Sequence, residues 1–158
     1  MSGYSLGINL VLLFIAGASA NAATADFSGH WQLNPAQSKA GDEKTLSLDI
    51  QQNGDTVTLV RTYQVEHDKE LKAQFTCTIG GKDCDFDENG HKSKVSLWYD
   101  GAALVILKTN GDKRDSTVEW SLHLADGGKT LSATREIVEP SDSKYSLVFN
   151  KAEAVAAR

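Results

Sequence analysis

Polar and apolar side chains alternate with a period of two along most of this 158-residue chain, and Asn-Gly or Asp-Gly pairs interrupt the alternation at short intervals. Leu46, Leu48 and Ile50 alternate with Ser47, Asp49 and Gln51. Asn53-Gly54-Asp55 then turns the chain, and Val57, Leu59, Arg61 and Tyr63 alternate with Thr56, Thr58, Val60 and Thr62. Successive side chains of a strand point to opposite faces, so the pattern describes half-buried strands. Asn-Gly between two such runs is the strongest short-range hairpin signal. Further turns fall at Gly80-Gly81, Asn89-Gly90, Asp100-Gly101, Asn110-Gly111 and Asp126-Gly127-Gly128, enclosing predicted strands over 94–99, 103–109, 116–124, 130–138 and 145–150.

No helical run is long enough for a crossover between parallel strands, so the chain reads as all-β, an up-and-down antiparallel meander of about 8–10 strands. A meander of that length either exposes two edges or closes on itself, and closure into a barrel removes the edges. Pro35 and Pro140, the only prolines, fall where strands should end. The non-core faces carry Thr, Ser, Asp, Lys and Glu rather than an apolar band with aromatic girdles, which sets the pattern apart from an outer-membrane barrel.

Residues 6–20 read LGINLVLLFIAGASA, followed by Ala20-Asn21-Ala22. An apolar run of this length ending in small residues predicts a signal peptide over 1–22, cleaved after Ala22, and a single domain over 23–158 that is periplasmic or secreted. The run lacks the basic residue that usually precedes such a segment. It also carries no charge, so the net charge of −5 belongs to the exported part. That balance argues against nucleic acid and anionic membrane surfaces as partners, because both need clustered Lys and Arg. No later segment is apolar enough to span a bilayer as a helix.

Two cysteines, Cys77 and Cys84, flank Ile79-Gly80-Gly81-Lys82-Asp83. In an oxidising compartment, cysteines on either side of a Gly-Gly turn face one another across a hairpin, which predicts a disulfide. A redox pair would more commonly read Cys-x-x-Cys at a helix start.

Asp26-Phe27-Ser28-Gly29-His30-Trp31 opens the exported part, and Thr134-Arg135-Glu136 lies in the penultimate predicted strand. Gly-x-Trp in the first strand, with a late basic residue, resembles the signature of lipocalin-like (calycin) barrels. FSGHWQLNPAQSK resembles the opening of small secreted bacterial members of that group whose function is unassigned. The resemblance implies that Trp31 closes one end of the barrel and that Arg135 packs over its indole as a cation–π partner. Gly29 completes the signature.

No catalytic or cofactor motif is present: Gly-x-Ser-x-Gly, a phosphate-binding loop, dinucleotide-binding glycines and Ser-x-x-Lys are all missing. His30, His67, His91 and His123 form no zinc-type spacing. Asp85-Phe86-Asp87-Glu88-Asn89-Gly90 matches the first half of a calcium loop, but Ser96 stands where the bidentate Glu is needed, and a hairpin turn explains the same residues. The reading is therefore non-catalytic, with no metal and no cofactor. A small apolar or amphipathic ligand inside the barrel is the expected partner, with Arg61, Tyr63, Leu97, Tyr99, Trp120 and Leu122 as candidate lining residues. A filled core suits a chain of this size equally well. Parity on neighbouring strands turns Trp98, Leu104 and Ile106 outward, a candidate surface for a weak dimer or for a protein-binding envelope module.

Overall fold

The computed structural model describes residues 25–39, 43–65, 69–88, 90–109, 117–139 and 142–153. The predicted signal peptide and the last five residues lie outside them. Ten strands run in chain order: β1 (Gly29–Leu33), β2 (Glu43–Asn53), β3 (Thr56–Val65), β4 (Lys69–Thr78), β5 (Cys84–Glu88), β6 (His91–Asp100), β7 (Ala103–Thr109), β8 (Thr117–Ala125), β9 (Thr130–Glu139) and β10 (Ser143–Lys151). Each pairs antiparallel with its chain neighbour, and β1 pairs with β10, so the meander closes into a barrel without free edges. No helix among the described residues is long and apolar enough to cross a membrane.

The turns after β2, β4, β6 and β8 gather at one end of the barrel, and the segment ahead of β1 closes that same end. Phe27 and Trp31 are fully buried there. Trp31 Nε1 donates to the Phe27 carbonyl at 2.9 Å, the Phe27 amide donates to Gln52 Oε1, and Gln52 Nε2 donates to the Tyr99 hydroxyl at 3.0 Å. These bonds satisfy polar groups that burial would otherwise leave costly. Above this plug, Ile50, Val57, Leu97, Leu104, Leu131, Leu147 and Phe149 fill the barrel's lower half.

The strand alternation holds closely on β3, where Val57, Leu59, Arg61 and Tyr63 are all buried. It fails on β2 and on β7. On β2 the register shifts between Thr45 and Ser47, which places an extra residue, Leu46, in a β-bulge. Thr45 takes the buried position opposite Tyr63 that periodicity gave to Leu46. On β7 the parity is reversed. Leu104 and Ile106 are buried in the core, opposite Leu122 and Trp120, so the outward trio Trp98–Leu104–Ile106 does not exist. Val105, directly opposite Trp98, lies on the other face of β7, where it too is buried. The physical reason is local: residues 104–107 are apolar on both faces and carry no period-two information, and the charged Lys108 misleads because it points into the barrel.

Cys77 and Cys84 form a disulfide, with Cα atoms 5.6 Å apart. Asp85 to Glu88 belong to β5 and Gly90 to the turn that follows: Lys94 Nζ donates to Asp85 Oδ1 at 2.5 Å, and the Gly90 amide to Asp87 Oδ1 at 3.0 Å. Gly90 has a φ of +83°, which suits glycine at such a turn. Among the described residues, no group of three His, Cys, Asp or Glu side chains is placed to hold a metal.

Candidate ligand cavity

The upper half of the barrel is not filled. A cavity of about 310 Å³ lies there, with Leu48, Leu59, Phe75, Phe86, Ile106 and Leu122 among its apolar walls. His91 and Lys92, both exposed at the β5–β6 hairpin, mark its mouth. Its volume is at the lower end of the roughly 300–1,000 Å³ typical of small-molecule sites.

The polar chemistry inside is built by strand register. Arg61 on β3 is directly opposite Ala73 on β4, which is directly opposite Glu88 on β5. The short side chain of Ala73 leaves the space above it open, and Arg61 reaches across β4 so that Nη2 is 2.7 Å from Glu88 Oε1. From the other side, Lys108 on β7 places Nζ 2.5 Å from Glu88 Oε2. One carboxylate thus joins two cations from strands on either side of it, all three side chains less than a quarter exposed. Burial pushes the Glu88 carboxyl up. The Lys108 hydrogen bond and the positive charges of Arg61 and Lys108 outweigh that effect and hold it below the usual glutamate range.

Aromatic rings hold the cations in place. The Arg61 guanidinium is 4.2 Å from the Tyr63 ring centroid and 5.6 Å from that of Trp120, and Arg135 sits 5.8 Å from both Trp120 and Tyr145. Lys108 Nζ is 5.1 Å from the Phe86 ring. Such contacts fix a cation at low desolvation cost. Ser93, on the cavity wall and buried, has a hydroxyl with no hydrogen-bond partner among the described residues.

Of the six candidate lining residues, Arg61, Trp120 and Leu122 face the cavity. Tyr63 supports Arg61 from behind. Leu97 is core beneath the cavity, and Tyr99 serves the closed end through Gln52. The signature residues are also redistributed: the cation over Trp31 is Lys151, 5.1 Å from its ring, and not Arg135, which lines the cavity. Gly29 makes room for this arrangement. A Cβ there would stand 2.6 Å from Lys151 Cε, and its φ of +154° disfavours other residues.

Sequence reasoning passed over Glu88, Lys108 and Ser93. Glu88 lies in a run with the spacing of a turn or calcium loop, and Lys108 follows the ambiguous apolar stretch on β7. The signal that was present is compositional: a charged residue one step past an apolar run, on a strand whose parity is undetermined, is a candidate interior charge.

No protein-family model matches the sequence, and no curated protein matches it significantly. Solved structures do match in fold. A protein described as the REP1-NXSQ fatty acid transporter aligns with a TM-score of 0.59 at 14% identity, covering 81% of this chain and 97% of its own. Lipid binding protein 8 of Caenorhabditis elegans gives 0.57 at 11%, covering 80% and 95%. A Schistosoma mansoni fatty acid binding protein, solved with arachidonic acid, gives 0.55 at 12%, covering 82% and 98%. Identities this low establish architecture alone. With its ten strands closed in simple up-and-down order, the chain has the fold of a calycin-type barrel.

Proposed function

We propose that this protein is an exported, non-catalytic carrier that holds one small amphipathic anion inside the barrel. The observation that carries this reading is the lining itself. Among the described residues the cavity presents Arg61, Lys92, Lys108 and Arg135 against the single carboxylate of Glu88, with His91 and Ser93 beside them and the remaining wall apolar. A basic interior in a chain of net charge −5 is not explained by solubility, and it complements a ligand with a negative head and an apolar tail. The tail would lie against Leu48, Leu59 and Leu122, with Trp120 beside it. The neighbours described as fatty acid and lipid binding proteins agree with this class of ligand. Export is supported by the apolar run over 6–20 with its Ala20-Asn21-Ala22 end, and by the disulfide.

A cavity of about 310 Å³ suits one small single-chain amphiphile. Native mass spectrometry of protein isolated from its own compartment, before and after organic extraction, tests the reading. The expected result is a discrete added mass that extraction removes and that ionises in negative mode. Protein that carries no added mass, and takes up no amphiphile when offered one, overturns it.

A further inference from the structure

We propose that Glu88 is the specificity-determining residue of the cavity: its carboxylate occupies the seat between Arg61 and Lys108 that a ligand's anionic group would take. The inference rests on the carrier reading above and says how that site selects. Glu88 spends both oxygens, one on each cation, at 2.7 and 2.5 Å. It is the last residue of β5, so its side chain reaches the two cations from the mouth end of the barrel. Among the described residues it is the single acid on the cavity wall.

Ser93 supplies an independent pointer. In the β5–β6 register Phe86 faces Ser93 and Glu88 faces His91, which makes Ser93 the diagonal neighbour of Glu88 on the inner face. Its buried hydroxyl lacks a partner among the described residues. A head group that takes the Glu88 seat comes within reach of this hydroxyl and completes its hydrogen bonding.

An anion built into the chain is a tethered competitor, present at high effective concentration. It lowers the apparent affinity for every ligand anion, and it leaves the apolar contacts of the tail untouched. Neutral amphiphiles of equal tail length meet no such competition. Glu88 therefore compresses the preference for anions that the basic lining would otherwise give, and it keeps a bound anion exchangeable.

The experiment is calorimetric titration of the delipidated chain with decyl sulfate and, in parallel, 1-decanol. Sulfate stays ionised, so only the protein's charges vary. The comparison uses the wild type, Glu88→Gln, and the double variant Glu88→Gln/Lys108→Gln, which removes one charge of each sign and so leaves fewer cations uncompensated than the single variant does. In Glu88→Gln, decyl sulfate should bind about tenfold more tightly, the scale of one charge-assisted hydrogen bond released to the ligand, while decanol affinity stays where it was. In the double variant the ratio of sulfate to decanol affinity should still exceed that of the wild type, because Arg61 is released. Binding of both ligands with an unchanged ratio in both variants overturns the role of Glu88 alone. If neither ligand binds the wild type, the carrier reading and this inference are overturned together.

Discussion

A carboxylate inside a barrel loses hydration and is retained as an ion only where cations compensate it. At Glu88 the compensation comes from two strands at once, and its cost and benefit can be separated experimentally. Removing one partner of a buried ion pair leaves the others uncompensated. We therefore expect Glu88→Gln to lower stability by about 2–3 kcal/mol near neutral pH, less than for a fully buried pair because these side chains retain some solvent contact. The sign of the pH dependence follows from the depressed folded-state value. The contribution of Glu88 is fully present above the ordinary glutamate value of about 4.3, and it is lost as pH falls through the lower folded value. Urea unfolding between pH 6 and pH 3 should show the wild type losing its advantage over Glu88→Gln on acidification, as protonation of Glu88 breaks its ion pairs with Arg61 and Lys108. A stability difference that does not change with pH would place the loss in packing rather than in charge.

At the scale of elements, β5 is one of the two short staves of the barrel, with β1. Its ladder to β4 joins only residues 73–75 with 86–88, whereas β3 and β4 pair along their whole length. The Cys77–Cys84 disulfide fastens β5 at the turn end, and the Glu88 ion pairs fasten it at the mouth. Closing so short a loop is worth about 2–3 kcal/mol. Reduction should lower stability by that amount, and hydrogen exchange should quicken most at the amides of residues 84–88. Uniform quickening around the barrel would mean that the disulfide acts through the unfolded chain alone. Elements also show what periodicity reveals. The inward face of β3 and the turn-and-strand rhythm were legible, because Thr56, Thr58 and Thr62 alternate there with Val57, Leu59 and Tyr63, and Arg61 falls in step with the apolar set. The Thr45–Ser47 bulge was not, since nothing in Leu46-Ser47-Leu48 marks an inserted residue. Nor was the parity of β7, where Leu104 to Leu107 suit either face. Arg135 and Lys151 are both late basic residues, and only strand register assigns Lys151 to Trp31 and Arg135 to the cavity.

For the whole molecule, the division into a filled lower half and an open upper half is what turns a stable barrel into a container. The lower half, from Phe27 and Trp31 up through Leu104 and Leu131, anchors the strands. The upper half trades packing for a charged, partly aromatic chamber. The sequence left cavity and filled core equally open, because both place apolar side chains at alternate positions. What distinguishes them is the convergence of Arg61, Glu88, Lys108 and Arg135 from four strands, a property of closure rather than of any segment. The same closure turned Leu104 and Ile106 inward, out of the face on which the sequence had placed them for a dimer or a protein partner. The most direct test is methyl-labelled NMR of the delipidated protein titrated with decanoate. Shifts and intermolecular contacts should concentrate on Leu48, Leu59, Ile106, Val118 and Leu122, with the outward Val105 and Leu107 unmoved. Perturbation of Val105 and Leu107 alone, or of no methyl at saturating ligand, would contradict a carrier that uses the interior of its barrel.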